Sequence, residues 1–202
     1  MRERKNSTKI AALVLAAGKS SRFGSNKLLF KINGKSVLER TLLALSGFEF
    51  WKTAVVISNT YLDDILGNHI EKILNKQISL GIGKSIALGT IYLRKEVSGI
   101  LILLADQPLL TPDNIKKMTD VFLGDPTKIV ACSVDGEIRN PIIFPSGYFD
   151  ELIKLSGDRG ARDLANSHID NVLRVEIEPS HLLDIDSIED VPIIEKKLKD
   201  YE

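Results

Sequence analysis

Leu15-Ala16-Ala17-Gly18-Lys19-Ser20-Ser21-Arg22-Phe23-Gly24-Ser25-Asn26-Lys27 directly follows an apolar run that starts at Ile10. Ile10–Leu15 reads as a buried strand. The stretch after it packs two glycines, an arginine and a lysine into one short loop. Glycines let a backbone approach a ligand closely, exposed N–H groups point at phosphate oxygens, and cations neutralise the charge. A strand that opens into such a loop is built to grip a polyphosphate at the end of a sheet.

Two commoner phosphate motifs fail on residue identity. Gly18-Lys19-Ser20 and Gly83-Lys84-Ser85 look like the end of a P-loop, which needs another glycine five residues before the Gly-Lys pair. Those positions hold Leu13 and Ile78. Gly81-Ile82-Gly83 opens like a dinucleotide fingerprint, but Ile86 stands where the third glycine or alanine should allow close helix–strand packing.

With 202 residues, 44% hydrophobic and 27% charged, the chain has the make-up of a globular domain with one sizeable core. Its 27 Lys and Arg balance 27 Asp and Glu. It therefore lacks the basic excess of a general nucleic-acid binder, and cations that serve phosphate must be focused locally. The lone Cys132 cannot form an intrachain disulfide and reads as a small buried hydrophobe. His69, His168 and His181 are scattered, without zinc-site spacing. Arg2, Arg4, Lys5 and Lys9 before Ile10–Ala17 imitate a secretory signal. Cleavage near Ala17 would cut the loop from its strand, so a core strand and a cytoplasmic location are expected. No apolar run reaches the length of a membrane span.

Apolar runs alternate with amphipathic segments, the pattern of an α/β domain with a mostly parallel central sheet flanked by helices. Strands are expected at Ile10–Leu15, Ala54–Ser58, Gly99–Ala105, Ile129–Ser133, Pro141–Phe144 and Val172–Ile177. Helices are expected at Ser36–Ser46, Asp63–Leu74, Lys84–Arg94, Thr111 to about Leu123, Pro145–Leu155, Ala161–Ser167 and about Ile188–Leu198. Gly81-Ile82-Gly83 reads as a flexible lead-in to the third of these. Thr111-Pro112 is a helix start, a hydroxyl cap followed by proline at the first helical position. Asp135-Gly136 marks a turn. Residues 1–202 read as one domain, with a nucleotide-binding half over about 10–110 and an acceptor-binding half over about 111–202.

Asp106 follows the central strand in Leu104-Ala105-Asp106-Gln107-Pro108. Ligands of open α/β sheets bind beyond the carboxyl ends of strands, and a carboxylate there is placed to hold Mg²⁺ against phosphate. Asp184-Ile185-Asp186 puts two carboxylates on one side of an extended segment, and Asp186 is a candidate second ligand. Whether Asp184 also contacts metal stays open. Ser187 with Asp190 three residues on resembles a capping box, which would position Asp186. Ser85 could reach a base or ribose, or simply cap its helix. Gly157-Asp158-Arg159-Gly160-Ala161-Arg162 offers two arginines and backbone N–H groups for a second anion, or a solvated connection whose arginines Asp158 and Asp163 neutralise. Arg139-Asn140-Pro141 could line an acceptor pocket.

Four islands in this order resemble the molybdenum cofactor cytidylyltransferase family, a branch of the molybdopterin nucleotidyltransferases with a Rossmann-like fold. They are Leu15–Lys27, Ala105–Pro108, Gly157–Arg162 and Asp184–Asp190. The first has the L-x-A-G-x-x-x-R-x-G-x-x-K spacing shared by the wider superfamily. The resemblance implies transfer of CMP from CTP to molybdopterin-bound molybdenum, with Mg²⁺ and pyrophosphate release. It implies Arg22 and Lys27 on the triphosphate, Leu15, Ala16, Ala17, Gly18 and Lys19 in the nucleotide loop, and Asp106 with Asp186 on Mg²⁺. Asn140, Asp158, Arg159, Gly160 and Arg162 would face the pterin. Leu15-Ala16-Ala17-Gly18 is the cytidylyl-like form of the loop; guanylyl-transferring relatives tend to carry L-A-G-G. Two residues depart from the pattern: Ile188 replaces a usual proline, and Asn140 precedes Pro141 where histidine is common. A recipient molybdoenzyme of xanthine dehydrogenase type is an implied partner. The alternatives are GTP as donor, another acceptor such as a sugar phosphate, or a non-catalytic cofactor carrier.

Overall fold

The computed structural model describes residues 8–18, 23, 26–67 and 70–201. In chain order its elements begin with β1 (Ile10–Ala16), β2 (Lys31–Ile32), β3 (Lys35–Ser36), α1 (Val37–Ala44), β4 (Lys52–Ile57), α2 (Asp63–Leu66) and β5 (Glu71–Leu74). They continue with α3 (Gly81–Leu93), β6 (Gly99–Leu104), α4 (Pro112–Gly124), β7 (Ile129–Val134) and β8 (Glu137–Pro145). The last are α5 (Phe149–Ile153), α6 (Ala161–Ser167), β9 (Val172–Glu176) and α7 (Val191–Tyr201).

Seven strands form one sheet in the order β5-β4-β1-β6-β8-β7-β9, and β2 pairs with β3 in a separate hairpin. Of the seven, only β8 runs against the others. Every residue of β1 is buried, because helices cover both faces of its sheet. Its side chains alternate between two cores. Ile10, Ala12, Val14 and Ala16 join the core that α1, α4 and α7 cover; Ala11, Leu13 and Leu15 join the one covered by α3, α5 and α6. Strand β6 divides likewise, with Leu101 and Leu103 on the first side and Ile100 and Ile102 on the second. Cys132 is fully buried beside Met118, and burial pushes its thiol pKa far up, so it is inert packing.

The chain moves outward from β1 to β4 and β5, then returns to place β6 on the other side of β1. The order reverses between β1 and β6, and a crevice opens there at their carboxyl ends.

Three expected elements differ. Asp63–Leu74 is not one helix: α2 stops at Gly67, whose φ is +62°, and Glu71–Leu74 pairs with β4 as an edge strand. The helical spacing of Ile65, Leu66, Ile70 and Ile73 does not mark one buried face: Ile65, Leu66 and Ile70 pack on the core that α1 covers, and Ile73 of β5 packs on the other. Gly81-Ile82-Gly83 is the first turn of α3 rather than a flexible lead-in. Pro145 ends β8, so the helix expected from Pro145 shrinks to Phe149–Ile153 after a 3-10 turn. The β2–β3 hairpin turns at Asn33-Gly34, both with positive φ, a pair suited to a two-residue turn.

The first turn of α3 is held by a distant segment. Gly83 N–H donates to the Gly157 carbonyl at 3.0 Å, and Gly157 N–H donates to the Leu80 carbonyl at 2.9 Å. A β-carbon on Gly83 would sit 2.6 Å from Ser156 N and 2.9 Å from the Arg159 carbonyl oxygen. Both neighbours are backbone and cannot swing away. Gly83→Ala is therefore expected to destabilise the fold by about 1–3 kcal/mol through overpacking, read as a lower midpoint in urea unfolding.

Candidate functional site

The loop after β1 and the turn after β6 leave the sheet side by side. Leu15 pairs with Leu104, and Ala105 N–H donates to the Leu15 carbonyl at 3.1 Å, one rung beyond β6. Thr41 of α1 donates its hydroxyl to the Ala105 carbonyl at 3.0 Å from the opposite side. Asp106 is thereby aimed into the crevice. Its own carbonyl accepts the Ile185 N–H at 2.9 Å, which brings in the Asp184–Asp186 segment. Ile185 is buried while Asp184 and Asp186 stay exposed, as the alternation of an extended segment requires.

A cavity of about 310 Å³ opens at this point, lined by Leu15, Ala17, Gly18, Ile78, Gly81, Ile82, Ser85, Leu104 and Asp106. That volume suits a small-molecule site. Five residues singled out in the sequence thus share one pocket: Leu15, Ala17, Gly18, Ser85 and Asp106. Ala16 points to the other core. Lys19 and Arg22, like His69, lie outside the described residues. Phe23 is buried, its ring edge-on to Phe30 with centroids 5.2 Å apart.

Lys27 reaches the same centre. Its ammonium donates to Asp106 Oδ2 at 2.6 Å, to the Ile185 carbonyl at 2.9 Å and to Asp186 Oδ1 at 3.2 Å. Burial alone would lower its pKa, but Asp106 and Asp186 more than reverse this and hold it above the usual lysine value. The other oxygen of Asp106, Oδ1, is buried and has no hydrogen-bond partner among the described residues. Two carboxylates that converge on one positive charge, one with an oxygen to spare, are a donor set that fits a hard divalent cation. Asp190 fixes Asp186 from behind by accepting the N–H groups of Asp186 and Ser187 at 2.8 and 2.7 Å. The cap and the ligand roles are therefore compatible.

Asp184 completes the cluster. Loss of water around it, then the charges of Asp106 and Asp186, push its pKa up to about 7, against smaller opposing effects of Gln107 and Lys27. Because Asp184 keeps an exposed surface, the two neighbouring carboxylates are the firmer part of that shift.

The remaining expected residues are not gathered at this cavity. Asp158 and Arg159 are exposed on the loop before α6. Gly160 N–H donates to Asp163 at 2.7 Å, and among the described residues Asp163 makes no ion pair with an arginine. Arg162 lines a separate polar cavity of about 460 Å³ with Arg139, Glu137, Asp163 and Asn166; Arg159 does not line it. Asn140 and Pro141 form a bulge: Cys132 pairs with Arg139 and Ala131 with Ile142, which leaves both without partners on β7. The missing N–H of proline costs no ladder bond there. Asn140 Oδ1 is buried with no partner among the described residues. Ser85 does not cap α3, which begins four residues earlier.

Residues 12–172 match the model of the MobA-like NTP transferase domain. The chain belongs to that nucleotidyltransferase family. It is 31% identical over 172 residues to the purine catabolism protein PucB of Bacillus subtilis, covering 78% of this chain and 81% of that protein. It is 27% identical over 124 residues to a probable molybdenum cofactor guanylyltransferase of Pyrococcus horikoshii. That match covers 61% of this chain and spans 61% of the archaeal protein. The fold is similar to the crystal structure of Rv0371c from Mycobacterium tuberculosis, with TM-score 0.82, 24% identity, and 94% and 98% of the two chains covered. A manganese complex of Rv0371c has TM-score 0.78 at 23% identity, with 94% and 99% covered.

A β-carbon built on Gly18 meets nothing within 4 Å, so the fold itself does not demand a glycine there. Gly18→Ala is expected to keep the wild-type melting temperature yet weaken nucleotide binding in calorimetric titration, because only a ligand would need that space. Asp184 holds its proton in the folded chain up to about pH 7, but would lose it near pH ~3.9 when unfolded. The folded state binds the extra proton between those values, so this group's stabilising contribution falls as pH rises toward 7 and levels off above it. With a chelator present, melting curves from pH 5 to 8 should decline more steeply for wild type than for Asp184→Asn.

Proposed function

We propose that the protein transfers a nucleoside monophosphate from an NTP to a phosphorylated acceptor, with CTP as donor and molybdopterin-bound molybdenum as acceptor. One observation carries the reading. The loop after β1, the turn after β6 and the Asp184–Asp186 segment converge, through Lys27 and Asp106, on the cavity that Ala17, Gly18 and Ser85 line. CTP is supported by the Leu15-Ala16-Ala17-Gly18 form of the loop. The molybdenum acceptor is supported by the description of the Pyrococcus relative. A purine-catabolism relative is in keeping with a xanthine dehydrogenase-type recipient, since xanthine is a purine.

An oxygen of the acceptor's phosphate attacks the α-phosphorus. A new P–O–P link forms, the α–β anhydride bond breaks, and pyrophosphate leaves with the bonding electrons. A phosphate monoester is already an anion at neutral pH, so no strong general base is needed. The residues position the groups and offset charge. Mg²⁺ held by Asp106 and Asp186 would neutralise phosphate charge and orient the α-phosphate. Lys27 keeps its proton in this site and, released from the two carboxylates, would meet the departing pyrophosphate, together with Arg22. Arg159 and Arg162 pair with no carboxylate among the described residues and are the cations proposed for the acceptor.

GTP as donor is the second reading, favoured by the guanylyltransferase description of the Pyrococcus protein. Pyrophosphate release with Mg²⁺ and molybdopterin separates the two. Release with CTP alone supports the cytidylyl reading; release with GTP alone keeps the mechanism and overturns the base. Lys27→Ala is expected to lower the rate on the order of 10²-fold at saturating nucleotide. Wild-type turnover in that variant would remove Lys27 from the reaction.

A further inference from the structure

Asn75 follows β5 and is only 1% exposed, next to the cavity wall formed by Ile78, Gly81 and Ser85. Its side-chain oxygen accepts the Gln77 N–H at 2.8 Å. A backbone N–H can only donate, so this bond settles which end of the amide is oxygen. The amide nitrogen must then face Ser85, and it donates to Ser85 Oγ at 3.0 Å. Turning the amide over would set its NH₂ against the Gln77 N–H, two donors face to face.

Ser85 is 5% exposed and lines the cavity. Its hydroxyl has one proton to give. The oxygen already accepts from Asn75, and among the described residues nothing accepts the proton. Thr90, farther along α3, shows the ordinary fate of a helical hydroxyl, donating back to the Ile86 carbonyl at 2.8 Å. Ser85 makes no such bond. Among the described residues lining the cavity, Ser85 alone carries a side-chain O–H or N–H; Asp106 can only accept when ionised, and the rest are apolar or glycine.

We infer that Asn75 is a positioning residue that holds the Ser85 hydroxyl as a dedicated donor to an acceptor atom of the bound nucleoside. The inference rests on the nucleotide reading above and deepens it. Cytosine offers two ring-edge acceptors, O2 and N3, and the ribose oxygens offer others. A nucleoside that presented an N–H at this point could use only the hydroxyl's remaining lone pair and would leave the Ser85 proton without an acceptor among the described residues, so the Asn75–Ser85 pair disfavours that edge.

Reversing the polarity tests it. In Asn75→Asp at pH 8 one carboxylate oxygen still accepts the Gln77 N–H, while the other accepts the Ser85 proton and withdraws it from the cavity. CTP affinity by calorimetry is expected to fall about 10-fold in Asn75→Asp and in Ser85→Ala, the scale of one neutral hydrogen bond. The double variant should be no weaker than either single one, because both changes remove the same bond. Inorganic tripolyphosphate, which lacks a nucleoside, should bind all of them like wild type. Where melting shows Asn75→Asp unfolded, Asn75→Ala replaces it with the same comparison. Wild-type CTP affinity in the folded Asn75 variant, additive losses in the double variant, or a parallel loss of tripolyphosphate binding would each overturn the inference. A wild-type protein that binds neither CTP, GTP nor tripolyphosphate would instead overturn the nucleotide reading on which it rests.

Discussion

The hydrogen bond from Ala105 N–H to the Leu15 carbonyl, 3.1 Å long, is the last tie between β1 and β6. The candidate site depends on these two strands ending together. Both are buried on two faces, so neither can shift register without moving a whole row of side chains into the wrong core. The glycine loop and Asp106 therefore emerge as neighbours although they are some ninety residues apart in the chain. Thr41 and Ile185 then lock the Asp106 turn through its backbone, which leaves the carboxylate itself available.

Charge is arranged with equal economy. Asp106, Asp184 and Asp186 face one ammonium, that of Lys27, in a chain whose net charge is zero. Like charges at close quarters raise a carboxyl pKa, and Asp184 shows that cost. Lys27 relieves it by bridging positions 79 and 159 residues away. The same lysine thus ties the two halves of the chain together and, in the proposed reaction, serves the triphosphate. A site held by an ion pair that a polyanion and a divalent cation can exchange is stable without ligand yet ready to open. An apolar plug could not do both, because it would gain nothing from an incoming phosphate.

Several elements were legible in the sequence because one local signal dominated. β1 and β6 are unbroken apolar runs, α4 starts at Thr111-Pro112, and α6 occupies the residues its pattern marked. Asp63–Leu74 was not legible as helix plus strand, since Leu66 and Ile73, which end on opposite faces of the sheet, fall at helical spacing in the chain. Asn33-Gly34 carried a readable hairpin signal that the reading did not use. Asn75 carried no signal at all. Its importance comes from Gln77 on one side and Ser85 on the other, a polarity that exists only once the chain has turned back on itself.

By itself, the sequence determined an α/β domain with a mostly parallel sheet and the kinds of residue needed for phosphate and metal chemistry. Periodicity and glycine placement are local properties, written in consecutive residues. Tertiary structure alone decided which of those residues meet. It put Lys27 between Asp106 and Asp186, turned Ala16 away from the cavity and docked Gly157 on the start of α3. The physical reason is that these encounters are set by strand order and backbone hydrogen bonds between distant segments, and no window of neighbouring residues contains them.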